Sequence, residues 1–228
     1  MRPKKKSGLT VCFQSRDSVA VPHSAADAPA RVPQEQRTRA MRARLLEATV
    51  DCLVERGFAG TTTTLVSERA GVSRGAQLHH FPTKNDLVVA AVEHLTAVRG
   101  AELADAFATL PARHRTRAVL RVLEDHFTSP VFTAALELWV AARTDEALLA
   151  AVAPLEQRVG RDTHRLTVEA LGADESRRGV RELVQATLDL VRGLGLADTI
   201  SDDRRRRTRI LDQWARTLDA ALEPTPEA

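Results

Sequence analysis

The stretch TTTLVSERAGVSRGAQLHHFPTK, residues 62–84, decides the fold, because it carries the signals for two short helices, the turn between them and the start of a third. Thr62 can cap a helix that turns Val66 and Ala70 inward. Gly71 supplies the left-handed backbone that ends this helix, and Ser73 caps the next, so a sharp turn joins the two. Pro82 stops the second helix early. A helix that short cannot hold a core alone, which frees an outer face of Arg74, Gln77 or Leu78, His79 and His80 for another task. The leading expectation is a helix-turn-helix that reads a DNA major groove.

Outward from this stretch, composition bounds the rest. The chain has 228 residues with 43% hydrophobic content, enough for one substantial core plus a smaller module. Tyr is absent and aromatics reach only 4%, which favours helices over strands and predicts an all-α fold. The net charge of +3 suits a polyanionic partner without proving one, so its distribution matters more. Between Gln34 and Lys84 stand Arg37, Arg39, Arg42, Arg44, Arg56, Arg69, Arg74 and Lys84 against Glu35, Glu47, Asp51, Glu55 and Glu68. The motif-bearing module is therefore basic, as a phosphate-facing surface requires. Cys12 and Cys52 have no metal-ligand spacing and imply no disulfide framework. No signal peptide or run of about 18 apolar residues is present, so a cytoplasmic protein without a membrane partner is expected.

Periodicity then divides the chain. Residues 1–33, with Lys4, Lys5, Lys6, Pro22, Pro29 and Pro33, read as a disordered basic tail, and 224–228 as a C-terminal tail. Residues 34–82 form the three-helix DNA-binding module. Its first helix runs from Gln34 to Arg56, with Leu45, Ala48, Thr49, Cys52 and Leu53 on one face and Gly57 as its end. Residues 83–223 form a helical effector-binding and dimerisation body. Thr83 and Asp86 have capping-box spacing and open a fourth helix, with Leu87, Ala91, Leu95 and Val98 as its buried stripe. Further apolar stripes predict five more helices. The cleanest is Val180, Leu183, Val184, Thr187, Leu188, Val191 and Leu194, closed by Gly193 and Gly195. The last helix opens at Ser201, Asp202 and Asp203 and shows Ile210, Leu211, Trp214, Leu218 and Leu222. Arg204 to Arg207 spread around that helix as a solvated face rather than a nucleic-acid patch.

From Arg44 to about Leu95 the chain resembles the TetR family of transcriptional regulators. The resemblance rests on Leu45-Leu46, Ala48, Leu53, Gly57-Phe58, Thr61-Thr62, Ala70-Gly71-Val72-Ser73-Arg74-Gly75, His80-Phe81-Pro82-Thr83-Lys84 and Asp86-Leu87. The rest matches in length and helical patterning. Two departures remove familiar contacts: Gln77-Leu78 stand where many members carry Leu-Tyr, and Leu65 where many carry an acid. The phenol that usually meets phosphate and the acid of the second helix's capping box are both missing. Gln77 then falls where the family buries Leu, either as core with its amide on backbone or in a shifted register.

The resemblance implies a homodimeric regulator that grips a double-stranded DNA operator and responds to a small-molecule effector. A repressor is the family's usual form. Arg74, Gly75, Ala76, Leu78, His79, His80 and Lys84 hold the DNA-contacting positions, with Thr62, Thr63, Thr64 and Ser73 as further candidates. Arg74 could meet guanine edges, and Lys84, at a helix N-terminus, one phosphate. Candidate effector-binding residues are Phe107, His126, Phe127, Phe132, Glu137, Trp139 and His164. The candidate dimer seam is Val180, Leu183, Val184, Leu188, Val191, Ile210, Leu211, Trp214 and Leu218. By resemblance, effector binding moves the fourth helix and spoils the spacing of the two reading helices. No catalytic residue, metal ligand or cofactor is expected: the chain has no Gly-rich phosphate loop and no HExxH. An all-α enzyme or an adaptor without sequence-specific DNA binding are the competing readings.

Overall fold

The computed structural model describes residues 34–223, so both tails lie outside the described residues. These residues form nine α-helices in the order α1 (Gln34–Gly60), α2 (Thr63–Ala70), α3 (Arg74–His80), α4 (Lys84–Ala108), α5 (Arg115–Phe127), α6 (Pro130–Ala142), α7 (Glu146–Leu171), α8 (Val180–Asp198) and α9 (Arg204–Leu222). The architecture is all-α, as the composition predicts.

Three apolar clusters hold it together. Leu45, Leu46, Ala48 and Cys52 of α1 pack with Val66 and Ala70 of α2, Phe81, and Leu87 and Ala91 of α4. Leu53 of α1 joins Val88 and Val92 of α4, Leu138 of α6 and Leu148, Val152 and Leu155 of α7. Leu103 and Phe107, at the far end of α4, join α5, α8 and α9. Helix α4 thus contributes to all three, presenting 87 and 91 to one cluster and 88 and 92 to the next. This is why its expected stripe fails beyond Ala91: Leu95 is only half-buried and Val98 is 43% exposed. There α4 leaves close packing and borders a cavity.

The regular helix ends at Gly57 (φ 65°, ψ 179°), as expected, and one further helical turn carries the chain on to Gly60. Other expectations are corrected by long-range packing. Gly193 and Gly195 do not close α8, which runs on to Asp198. Gly195 is needed for close approach, since a Cβ there would lie 2.1 Å from the Phe127 carbonyl oxygen of α5. Arg207 is not part of a solvated face. It is 4% exposed and donates to Glu124 (2.8 Å), Asp198 (2.6 Å) and Asp203 (2.8 Å), fastening α9 to α5 and to the end of α8.

The expected dimer seam is largely the subunit's own core. Val180, Val184, Leu188, Val191, Leu211 and Leu218 are all buried within the subunit. Leu188, Val191, Leu211 and Leu218 share one core cluster with Val119, Leu120 and Leu123 of α5, so the subunit's own packing already covers them. Leu183, Ile210 and Trp214 are partly buried against the same cluster, and the Trp214 indole N–H donates to Thr187 Oγ1 at 3.0 Å.

Candidate functional site

The turn between α2 and α3 is built from local hydrogen bonds. Thr62 Oγ1 accepts from the Leu65 N–H at 3.2 Å, capping α2 without the partner acid of a capping box. Gly71 is left-handed (φ 61°, ψ 40°), and the Val72 N–H returns to the Ser67 carbonyl at 3.0 Å. Ser73 Oγ then accepts from the Ala76 N–H at 3.2 Å and starts α3.

The inner side of α3 is Gln77, fully buried, whose Nε2 donates to the Phe81 carbonyl at 2.8 Å while Oε1 finds no partner among the described residues. Of the two readings open for Gln77, the core one holds. With Gln77 and Phe81 inward, the outer face exposes Arg74, Gly75, Leu78 and His79, beside half-buried Ala76 and His80. Thr62, Thr64 and Ser73 are exposed on the same module and Thr63 is half-buried. Leu78 at 43% exposure leaves an apolar side chain open on this polar face.

Lys84 is half-buried at the start of α4. Its Nζ donates to the Phe58 carbonyl at 2.6 Å and lies 4.0 Å from the centre of the Phe58 ring. Burial holds its pKa below the usual lysine value. The Phe58 N–H, in turn, donates to Glu137 Oε2 of α6 at 2.9 Å. Both backbone groups of Phe58 are therefore held, one by α4 and one by α6, just after the kink at Gly57. A Cβ on Gly57 would come within 1.9 Å of Glu137 Oε2, so the missing side chain makes room for the carboxylate.

A cavity of about 350 Å³ lies among α4, α5, α6, α7 and Arg192 of α8. Its walls include Val92, Leu103, Val131, Val152, Leu155 and Leu166, with Thr96, Thr163, Arg99 and Glu156 as polar members. Of the seven expected residues, His126, Phe127, Phe132 and Trp139 reach it. Their rings run edge to face, 5.0 Å from His126 to Phe127, 5.2 Å to Phe132 and 6.1 Å on to Trp139. Burial, aided by the nearby Arg99 cation, pushes the His126 pKa down to about 4, so its imidazole is neutral at physiological pH.

The other three lie elsewhere. Phe107 is packed in the core, Glu137 faces the α1 kink, and His164 pairs with Glu175 at 2.7 Å in an adjoining polar groove that shares Glu156, Gly160, Arg165 and Arg192 with the cavity. Sequence reasoning missed Arg192, whose guanidinium carbon lies 5.7 Å from the Phe127 ring centre and 6.0 Å from that of Trp139. No local pattern marks it, because only the packing of α8 brings it there.

The family profile described as bacterial regulatory proteins, tetR family, matches residues 45–91, from the first helix through the start of α4. The HTH-type transcriptional regulator CymR of Pseudomonas putida is 31% identical over 205 residues, covering 86% of this chain and 96% of that protein. An HTH-type transcriptional regulator of Mycobacterium tuberculosis (strain ATCC 25618 / H37Rv) is 36% identical over 116 residues, covering 50% of this chain. The chain spans only 60% of that relative's length. In structure, a transcriptional regulator from Rhodococcus sp. Rha1 is similar in fold, with a TM-score of 0.63 at 22% identity, covering 81% of this chain and 99% of that one.

Proposed function

Since the chain belongs to the TetR family of bacterial regulatory proteins, we propose that it is a cytoplasmic, dimeric DNA-binding regulator, a repressor released from its operator by a small effector. Residues 34–82 serve as the reading module and 83–223 as the effector-binding and dimerising body. The observation that carries this reading is the outer face of α3. Arg74, Leu78 and His79 stand exposed on a helix fixed from behind by buried Gln77 and Phe81, which is how a recognition helix meets base edges. Arg74 reads bases near the helix start, while Thr62, Thr64 and Ser73 meet phosphate. Lys84 ties the start of α4 to the end of α1 through the Phe58 carbonyl, and its ammonium keeps further donors for a phosphate.

The second copy meets the outward faces of α8 and α9. Leu183, Ala186, Leu190, Gly193, Ala197 and Ile200 follow one another at spacings of three and four along one line of the chain. Leu190, Ile210 and Trp214 form a shallow apolar hollow beside that line, and Ile200 is 87% exposed. This row can build a helical seam of the kind a twofold dimer requires.

The effector occupies the cavity bounded by α4 and α6. Those two helices also hold Phe58 through Lys84 and Glu137, so a shift in either carries to the end of α1 and the reading module. The protein acts by binding, without turnover. DNase footprinting of the DNA flanking its own coding region tests the proposal: a protected, roughly palindromic site supports it, and an unprotected flank counts against it.

A further inference from the structure

We propose that the cavity takes a small apolar monoanion, an aryl or alkyl carboxylate whose charge is met by Arg192. This rests on the reading of the cavity as an effector site. The charge count inside the cavity sets the sign. Arg99 and Arg192 are half-buried on the wall against one half-buried acid, Glu156. At the rim the exposed Arg165 and Asp162 offset each other. The acids that pair with the two inner arginines, Glu102 and Asp189, are 56% and 74% exposed and do not line the cavity, so solvent weakens their hold. His126 adds no charge, being neutral.

Arg192 also has donor capacity to spare. Its Nη1 donates to Asp189 at 3.3 Å, while its Nε is buried with no partner among the described residues. Nε and Nη2 form the side edge of the guanidinium fork, which matches the two oxygens of a carboxylate. A buried donor left unfilled is unfavourable, and an acceptor supplied by a ligand relieves it. The walls select the rest of the molecule. They are mostly apolar, with the Phe127, Phe132 and Trp139 rings in one row, and the volume suits a small ligand. A cation is disfavoured because Arg192 already faces the Phe127 and Trp139 rings. A multiply charged phosphate would bury more charge than one excess arginine balances.

Calorimetric titration of the full chain with 2-naphthoate, 2-naphthamide and 2-naphthylmethylammonium at neutral pH tests this. Naphthoate should bind about tenfold more tightly than naphthamide, the worth of one charge-assisted pair, and the ammonium most weakly. Arg192→Gln should erase the preference for naphthoate over naphthamide, whereas Arg192→Lys, which keeps the charge, should retain part of it. Equal or tighter binding of the amide or the ammonium overturns the proposal. So does an Arg192→Gln protein with the preference intact, or no binding by any of the three. Because the readout is binding to the protein alone, it stands apart from DNA release. Naphthoate that binds as expected but leaves a protein–DNA complex intact would count against the regulator mechanism and not against the ligand class.

Discussion

At the scale of single residues, His126 shows how burial sets behaviour. Its folded pKa of about 4 lies below its ordinary value of 6.5, so the unfolded chain takes up a proton first as pH falls. The stability tied to the neutral imidazole is fully present above about pH 6.5 and is lost as pH drops through the folded value. Between about pH 7.5 and pH 5 the cost is about 2 kcal/mol. Urea unfolding of wild type and His126→Gln at both pH values should show that extra loss in the wild type only. Identical pH dependence in the two proteins would mean that His126 is not buried as a neutral group. Residues of this kind divide into those legible in the sequence and those that are not. Thr62, Gly71 and Ser73 were legible because each acts on backbone within a few positions of itself. Glu137 and Arg207 were not, because Phe58 lies 79 positions from the first and Glu124 83 positions from the second.

At the scale of elements, the end of α1 is the joint between the reading module and the body. Gly57 adopts a backbone region that only glycine enters easily, and its missing Cβ leaves space for Glu137. Gly57→Ala should therefore cost about 1–3 kcal/mol. An alanine Cβ displaces the Glu137 carboxylate, so Gly57→Ala already loses the bond to Phe58 that Glu137→Ala removes. The double variant should then be less destabilised than the sum of the singles by about 1 kcal/mol, measured as a double-mutant cycle in urea. Strict additivity would show that the glycine and the carboxylate are independent. Helix α8 teaches the complementary lesson about patterns. Its apolar stripe correctly announced a buried face, but periodicity does not say whether the cover comes from the same chain or another. Here α5 supplies it, and Gly195 lets the two backbones approach.

At the scale of the whole molecule, that distinction decides how dimerisation must be probed. A charge at Leu188, which is 6% exposed in the subunit core, should unfold the chain and says nothing about a seam. A charge at Ile200 or Leu190 should instead give monomers that keep their helical far-ultraviolet signal. Sedimentation of Ile200→Glu and Leu190→Glu checks this, and dimers of both variants would remove this face from the assembly. The central claim, that α3 reads DNA sequence, is met most directly by comparing wild type and Arg74→Ala on the footprinted site and on a scrambled duplex across a range of salt. Arg74→Ala should lose about 1–3 kcal/mol on the site and relax preference at one base position per half-site, with a much smaller loss on scrambled DNA. An Arg74→Ala protein with wild-type affinity and selectivity on the site would contradict the account.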